Sequence, residues 1–264
     1  GAHALRSLSY LCCRLKSRDK LTSNDVIVIT GCGSGLGYSL ALHCRQLGAT
    51  VIAGVLQMDC PSVEKLEDEG VIVFPLDLME LNSITVYLYN RISVPVLRCV
   101  INNAAVMVFG EFEWQTYGQL KSQLEVNFLG AMVVTQDLMP IIRAHYSRII
   151  VVSSHCKTQP IPGASVYSGT KAAISAWATG LRVELKKYGV RVVCVVPGNQ
   201  GILVNGGIIG KNLKNWPTGL KFLPFISHLT SSRQYQNYTF MFNLSYLYLT
   251  ITKKKKKKNK ISSL

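Results

Sequence analysis

With 264 residues and 48 % apolar content, the chain can bury the core of one α/β domain, and no run of about 20 apolar residues offers an unaided bilayer span. The net charge of +15 is unevenly placed: all 14 acidic residues precede position 199, whereas 11 of the 29 lysines and arginines follow it. The basic balance therefore belongs to the tail, and no nucleic-acid partner is expected for the remainder.

Residues 1–24 are polar and basic, with Leu5, Leu8, Leu11 and Leu15 at roughly helical spacing. They read as a leader or linker. A targeting helix is the sharper alternative, since Arg6, Arg14, Lys16 and Arg18 occur with no acid before Asp19. From residue 25 to 199, short β-branched runs at 26–29, 50–53, 71–74, 96–101, 148–152 and 190–196 alternate with helical stretches, clearest at 36–47, 117–145 and 167–188. Strands separated by helices need right-handed crossovers and a parallel sheet. The runs are near-continuously apolar, as strands buried on both faces are. The pattern predicts a doubly wound α/β Rossmann fold, a parallel sheet of about six strands with helices on both faces.

The eight cysteines form no CxxC pair and show no metal-like spacing with the five histidines, so no metal site is expected. Cys99 and Cys194 fall inside apolar runs, where a free thiol acts as a small core residue, and a reducing compartment is expected. Residues 200–264 change character. They contain no carboxylate, and an apolar, aromatic stretch at 238–251 runs into six lysines at 253–258. Fourteen apolar residues are too few to span a bilayer. The tail reads as aberrant, low-complexity and poorly ordered, because lysine homopolymer is what translated poly-adenine gives. A membrane-surface anchor and a nucleic-acid tail are the alternatives.

The segment Thr30-Gly31-Cys32-Gly33-Ser34-Gly35-Leu36-Gly37 follows an apolar strand and opens a helix, the context of a dinucleotide turn. Gly31 permits the tight turn, Gly35 lets backbone approach a pyrophosphate, and Gly37 lets helix pack on strand. The helix N-terminus at Leu36 offers N–H groups to phosphate. At the end of the second strand, Val55 stands where an acid would bind ribose hydroxyls, and no basic group near it suits a 2′-phosphate. NAD is favoured and NADP kept open. Asp77 is a partner for the adenine amino group or, nearly as readily, a turn carboxylate.

Tyr167 and Lys171, four apart, share a helix face, and an ammonium there favours the phenolate. Tyr167 can then exchange a proton with an alcohol as hydride leaves, while Ser154 holds the substrate oxygen.

Together these residues resemble the short-chain dehydrogenase/reductase family. Its cofactor turn TGxxxGxG corresponds to residues 30–37. Its NNAG stretch is Asn102-Asn103-Ala104-Ala105, with alanine for the last glycine, and its Ser-Tyr-Lys set is Ser154, Tyr167 and Lys171. The resemblance extends over about 25–199 and is closest to the branch of retinol, 17β-hydroxysteroid and D-β-hydroxybutyrate dehydrogenases. It implies Asn127 as a fourth catalytic residue, holding a water that links the lysine to a proton relay. It also implies cofactor contacts from Thr30, Gly31, Gly33, Ser34, Gly35, Leu36, Gly37, Asp77, Leu78, Asn103, Ala104, Tyr167, Lys171, Pro197 and Gly198. The implied activity is NAD(P)-dependent interconversion of a lipophilic secondary alcohol (steroid, retinoid or hydroxy acid) and its carbonyl. A small lipophilic alcohol or ketone substrate and a homodimer follow from it. So does an intracellular location at the endoplasmic reticulum membrane or in mitochondria, with membrane association through an upstream segment. Family members continue past Pro-Gly with a substrate-covering lid and a seventh strand, which residues 200–264 do not match. Weak or absent turnover is therefore expected, and an impaired dinucleotide-binding protein is the alternative.

Overall fold

The computed structural model describes residues 21–80 and 96–197. Six strands, β1 (Asp25–Thr30), β2 (Thr50–Val55), β3 (Ile72–Pro75), β4 (Val96–Asn102), β5 (Arg148–Val152) and β6 (Arg191–Val195), form one sheet in the order β3-β2-β1-β4-β5-β6. Every pairing is parallel. The helices are α1 (Gly35–Gln46), α2 (Pro61–Asp68), α3 (Tyr117–Leu124), α4 (Gly130–Asp137), α5 (Met139–Ala144) and α6 (Ser165–Leu185). The doubly wound parallel architecture expected from the alternating pattern is the one observed.

Side chains alternate across each strand, and this alternation builds two cores. Val26 and Val28 pack with Val134, Ile142, Ile174 and Leu181 of α4, α5 and α6. Ile27 and Ile29 pack on the other face with Leu40, Val63 and Leu66 of α1 and α2. Each fully buried aliphatic side chain of this kind contributes roughly 1.5–3 kcal/mol. Both faces being covered, the apolar runs in the sequence are continuous.

A bulge in β4 departs from that regularity. Val26 pairs with Leu97 but Ile27 with Cys99, leaving Arg98 as the extra residue. Parity resets across it, so that Leu97 and Val100 face the first core while Cys99 and Ile101 face the second. Released from the ladder, Arg98 donates through Nε to Asp25 Oδ1 at the start of β1. Asp25 Oδ2 accepts from the Thr22 N–H at 2.8 Å and its hydroxyl at 3.0 Å. Burial pushes the Asp25 carboxyl up, yet Arg98 and Thr22 together outweigh it and hold the group below its ordinary value.

The single helix expected over 117–145 is instead four pieces: α3, a π-helical turn at Glu125–Leu129, α4 and α5. Pro140, in the first turn of α5, has no N–H to continue α4. Thr116 and Gln119 form a reciprocal capping box that starts α3. Among the described residues β6 is the outermost strand on its side, and Arg182 Nε covers its Val192 carbonyl at 2.9 Å. Cys32, Cys44, Cys99 and Cys156 are buried and in no disulfide, whereas Cys194 is only partly buried. Leader residues 1–20, Gly198 and the tail 200–264 lie outside the described residues.

Candidate active site

From β1 the chain winds outward through β2 and β3, then returns to place β4 on the other side. That reversal opens a crevice beyond the carboxyl ends of β1 and β4, where ligands bind in open α/β sheets. The turn 30–37 leaves β1 there. Thr30 Oγ1 accepts from the N–H groups of Asn103 and Ala104, both at 3.1 Å, and Asn103 Nδ2 donates to the Thr30 and Gly31 carbonyls, both at 3.0 Å. The two residues after β4 therefore brace the turn from behind. Ser62 Oγ adds a 2.7 Å bond to the Gly33 carbonyl.

The glycines divide by what surrounds them. At Gly31, with φ +72°, a Cβ would lie 2.6 Å from Ala104 Cα. A Cβ at Gly37 would collide with the Gly31 carbonyl and Asn103 Nδ2, so this glycine closes the turn on itself as well as admitting the helix. Gly33 and Gly35 face open space within 4 Å, Gly35 at φ +61°. Ser34, the α1 N-cap, makes no side-chain cap bond, and the first turn of α1 holds no acid. Free N–H groups, a positive helix end and an open cradle fit the pyrophosphate of a dinucleotide. Leu36 is partly buried in this first turn. The Cys32 side chain turns inward to the Ile29 carbonyl.

Farther along the crevice, Val55 is buried and Leu56 exposed, so the end of β2 presents an apolar surface. Asp77 Oδ1 accepts from the Met79 N–H at 2.8 Å, the turn-carboxylate arrangement. The Leu78 side chain is buried against Gly130, which leaves its backbone as what it can offer a cofactor. Pro197 closes the described segment after β6, and Gly198 falls just beyond it.

Ser154 follows β5, and its Oγ accepts from the Cys156 N–H at 3.2 Å, capping a short 3-10 turn at His155–Lys157. The Ser154 hydroxyl lies near the Tyr167 phenol, close enough to act on its acidity. Tyr167 and Lys171 share a face of α6, with Lys171 Nζ 5.7 Å from the centre of the tyrosine ring. The ammonium donates to the Val152 carbonyl at 2.9 Å. Burial pushes the phenol above its ordinary value; the nearby Ser154 hydroxyl lowers it without prevailing, and the neighbouring Cys156 thiol adds to the rise. Burial likewise pushes Lys171 down to about 8, opposed by the nearby Cys194 thiol. The expected lowering of the phenol by the lysine is not among the effects that set its value: desolvation dominates, and the ammonium points at the Val152 carbonyl.

Asn127, on the π-helical turn, takes both backbone groups of Val106: Oδ1 accepts from its N–H at 2.7 Å and Nδ2 donates to its carbonyl at 2.8 Å. Gln123, four residues earlier, accepts from the Val108 N–H at 3.2 Å. Sequence inspection missed Gln123, whose i,i+4 relation to Asn127 was the available signal. It also missed Ser153, whose buried hydroxyl bonds the Lys171 carbonyl at 2.9 Å and contacts Ser175 Oγ at 2.7 Å.

Residues 25–201 match the family model for short chain dehydrogenase. The chain is 35 % identical over 181 residues to estradiol 17-beta-dehydrogenase 2 of Rattus norvegicus, covering 65 % of this chain and 47 % of that protein. It is 31 % identical over 194 residues to mitochondrial D-beta-hydroxybutyrate dehydrogenase of Mus musculus, covering 69 % and 56 % respectively. A solved short-chain dehydrogenase from Streptomyces avermitilis superposes with a TM-score of 0.63 at 26 % identity, covering 73 % of this chain and 70 % of its own. The chain spans about half the length of the curated relatives it matches.

Proposed function

The chain belongs to the short chain dehydrogenase family, and on that premise we propose that it interconverts a lipophilic secondary alcohol and its ketone with a nicotinamide dinucleotide. One observation carries the reading: Tyr167 stands beside Lys171, with Ser154 near its phenol, at the same end of the sheet as the open glycine turn. When bound, the dinucleotide would supply or accept the hydride. The turn 30–37, braced by Asn103 and Ala104, would hold it, with Asp77, Leu78, Pro197 and Gly198 as further contacts. The apolar end of β2 supports NAD over NADP.

Ser154 holds the substrate oxygen and steadies charge on it. Tyr167 gives its phenolic proton to a ketone oxygen, or takes the hydroxyl proton of an alcohol. A phenol raised above its ordinary value favours donation of its proton over abstraction of one. Lys171 and Asn127 orient the tyrosine helix and its proton supply. The substrate class, steroid or hydroxy acid, is drawn from the relatives' names, and a retinoid is included on the sequence resemblance alone. Extended to the whole protein, the proposal includes a catalytic core over 25–199, a homodimer, and membrane association through an upstream segment. Residence at the endoplasmic reticulum membrane or in mitochondria belongs to it too.

The test is turnover of NADH with a steroid ketone, in the parent protein and in Tyr167→Phe. Activity should fall at least about 100-fold in the variant with NADH binding kept; equal rates refute the reading. A second reading, a dinucleotide-binding protein with impaired turnover, is favoured by the match stopping at residue 201 of 264. It is distinguished by NADH binding without turnover in the parent.

A further inference from the structure

Two sets of hydrogen bonds, joined by the backbone of residues 104–106, run from the glycine turn to the tyrosine helix. It starts at Thr30 Oγ1, which holds the N–H groups of Asn103 and Ala104. Two residues on, Val106 is gripped at both backbone groups by Asn127. Asn127 Nδ2 also donates to Thr170 Oγ1 at 3.1 Å, and Thr170 Oγ1 donates to the Tyr167 carbonyl at 2.7 Å. Thr170 is fully buried, and its hydroxyl joins the π-helical turn to the first turn of α6. Each of these hydrogen bonds is buried or partly buried, so little water competes for it, while the backbone between them passes through exposed Ala105.

We infer that Thr170 is a positioning residue that transmits occupancy of the glycine turn to the helix carrying Tyr167 and Lys171. This inference rests on the dinucleotide reading above. The effector it names is a diphosphate in the turn. A diphosphate engaging the N–H groups of the turn stiffens Thr30 and the strand end bonded to it. Asn127 then passes that restraint through Thr170 to the Tyr167 backbone. Ser168 supplies an internal comparison. Its buried hydroxyl makes a similar bond back along α6, to the Ala164 carbonyl at 2.7 Å, and has no bond to Asn127.

The experiment uses ADP, which carries the diphosphate but has no nicotinamide to reach Tyr167 directly. Amide hydrogen exchange is followed in the full chain with and without saturating ADP. In the parent, ADP should slow exchange in residues 31–37 and, by about fivefold or more, in residues 165–171. Thr170→Val should keep the first effect and lose the second, Thr170→Ser should restore it, and Ser168→Ala should keep both. A merely structural role for Thr170 would change exchange without ADP and leave the response to ADP intact, which overturns the inference. Protection of the turn in the parent with no response in residues 165–171 also overturns it. No protection of the turn refutes the dinucleotide reading and the inference together. Should Thr170→Val not fold, the Thr170 methyl resonance of the parent decides: a shift that tracks ADP binding supports the inference, and an unmoved resonance overturns it.

Discussion

Asp25 and Lys171 are both almost wholly buried, at 3 % and 2 % exposure, at opposite ends of one sheet. The amino end surrounds its charge completely, with Arg98 and both donors of Thr22 on the carboxylate. The carboxyl end gives its ammonium one carbonyl, that of Val152, and a burial that works against the charge. A fully partnered charge stabilises a fold, whereas an under-compensated one is held for chemistry at a cost in stability. The same sheet thus keeps a fully partnered charge at one end and an under-compensated one at the other.

Replacing the under-compensated charge should sharpen that contrast most. Lys171→Met should lower turnover at least about 100-fold while the thermal midpoint holds or rises. For the parent the sign follows from a lysine held near 8 when folded and higher when unfolded. The folded state then binds fewer protons, so this group's penalty is present below about pH 8 and is relieved as pH rises from there toward roughly 10.4. Denaturant titrations across that range should show the rise in the parent and not in Lys171→Met. A large loss of stability in Lys171→Met would break the comparison.

The glycine turn separates shape from binding. Gly37→Ala puts a methyl against the Gly31 carbonyl and should cost about 1–3 kcal/mol, together with dinucleotide affinity. Gly33→Ala meets nothing within 4 Å and should leave the unfolding midpoint unchanged while weakening NADH binding. Equal stability losses in the two variants would show that the open cradle is a packing site.

At the amino end the expected effect is smaller. Asp25→Asn should cost about 1–2 kcal/mol in urea denaturation, because the half-exposed Arg98 can regain water. Since the carboxyl lies below its ordinary value when folded, its contribution is present above about pH 4 and is lost as pH falls through the folded value. The acid limb of the stability profile should therefore flatten in the variant.

The strands were legible because burial on both faces leaves continuous apolar runs, and the glycine turn because its spacing is local. Arg98 is a charge inside such a run, but its partner Asp25 lies 73 residues away and leaves no local sign of the bulge. The break of the 117–145 helix was half visible in Pro140. The π-helical turn was not, because its asparagine bonds the backbone of Val106 across 21 residues. Tyr167, Lys171 and Ser154 were found by spacing and resemblance. Their burial was not legible, because spacing reports proximity and carries no information about desolvation or about the Val152 carbonyl. Ser62 on the Gly33 carbonyl, 29 residues distant, left no local sign at all.

The most direct measurement is a crystal structure of the protein grown with NADH. The account places the phosphates on the N–H groups of the turn at Gly33 and Gly35 and the nicotinamide half beside Tyr167, with Lys171 Nζ within hydrogen-bond reach of the ligand. A dinucleotide bound elsewhere, or one in the crevice with Lys171 still held only by Val152 and out of reach, would contradict it.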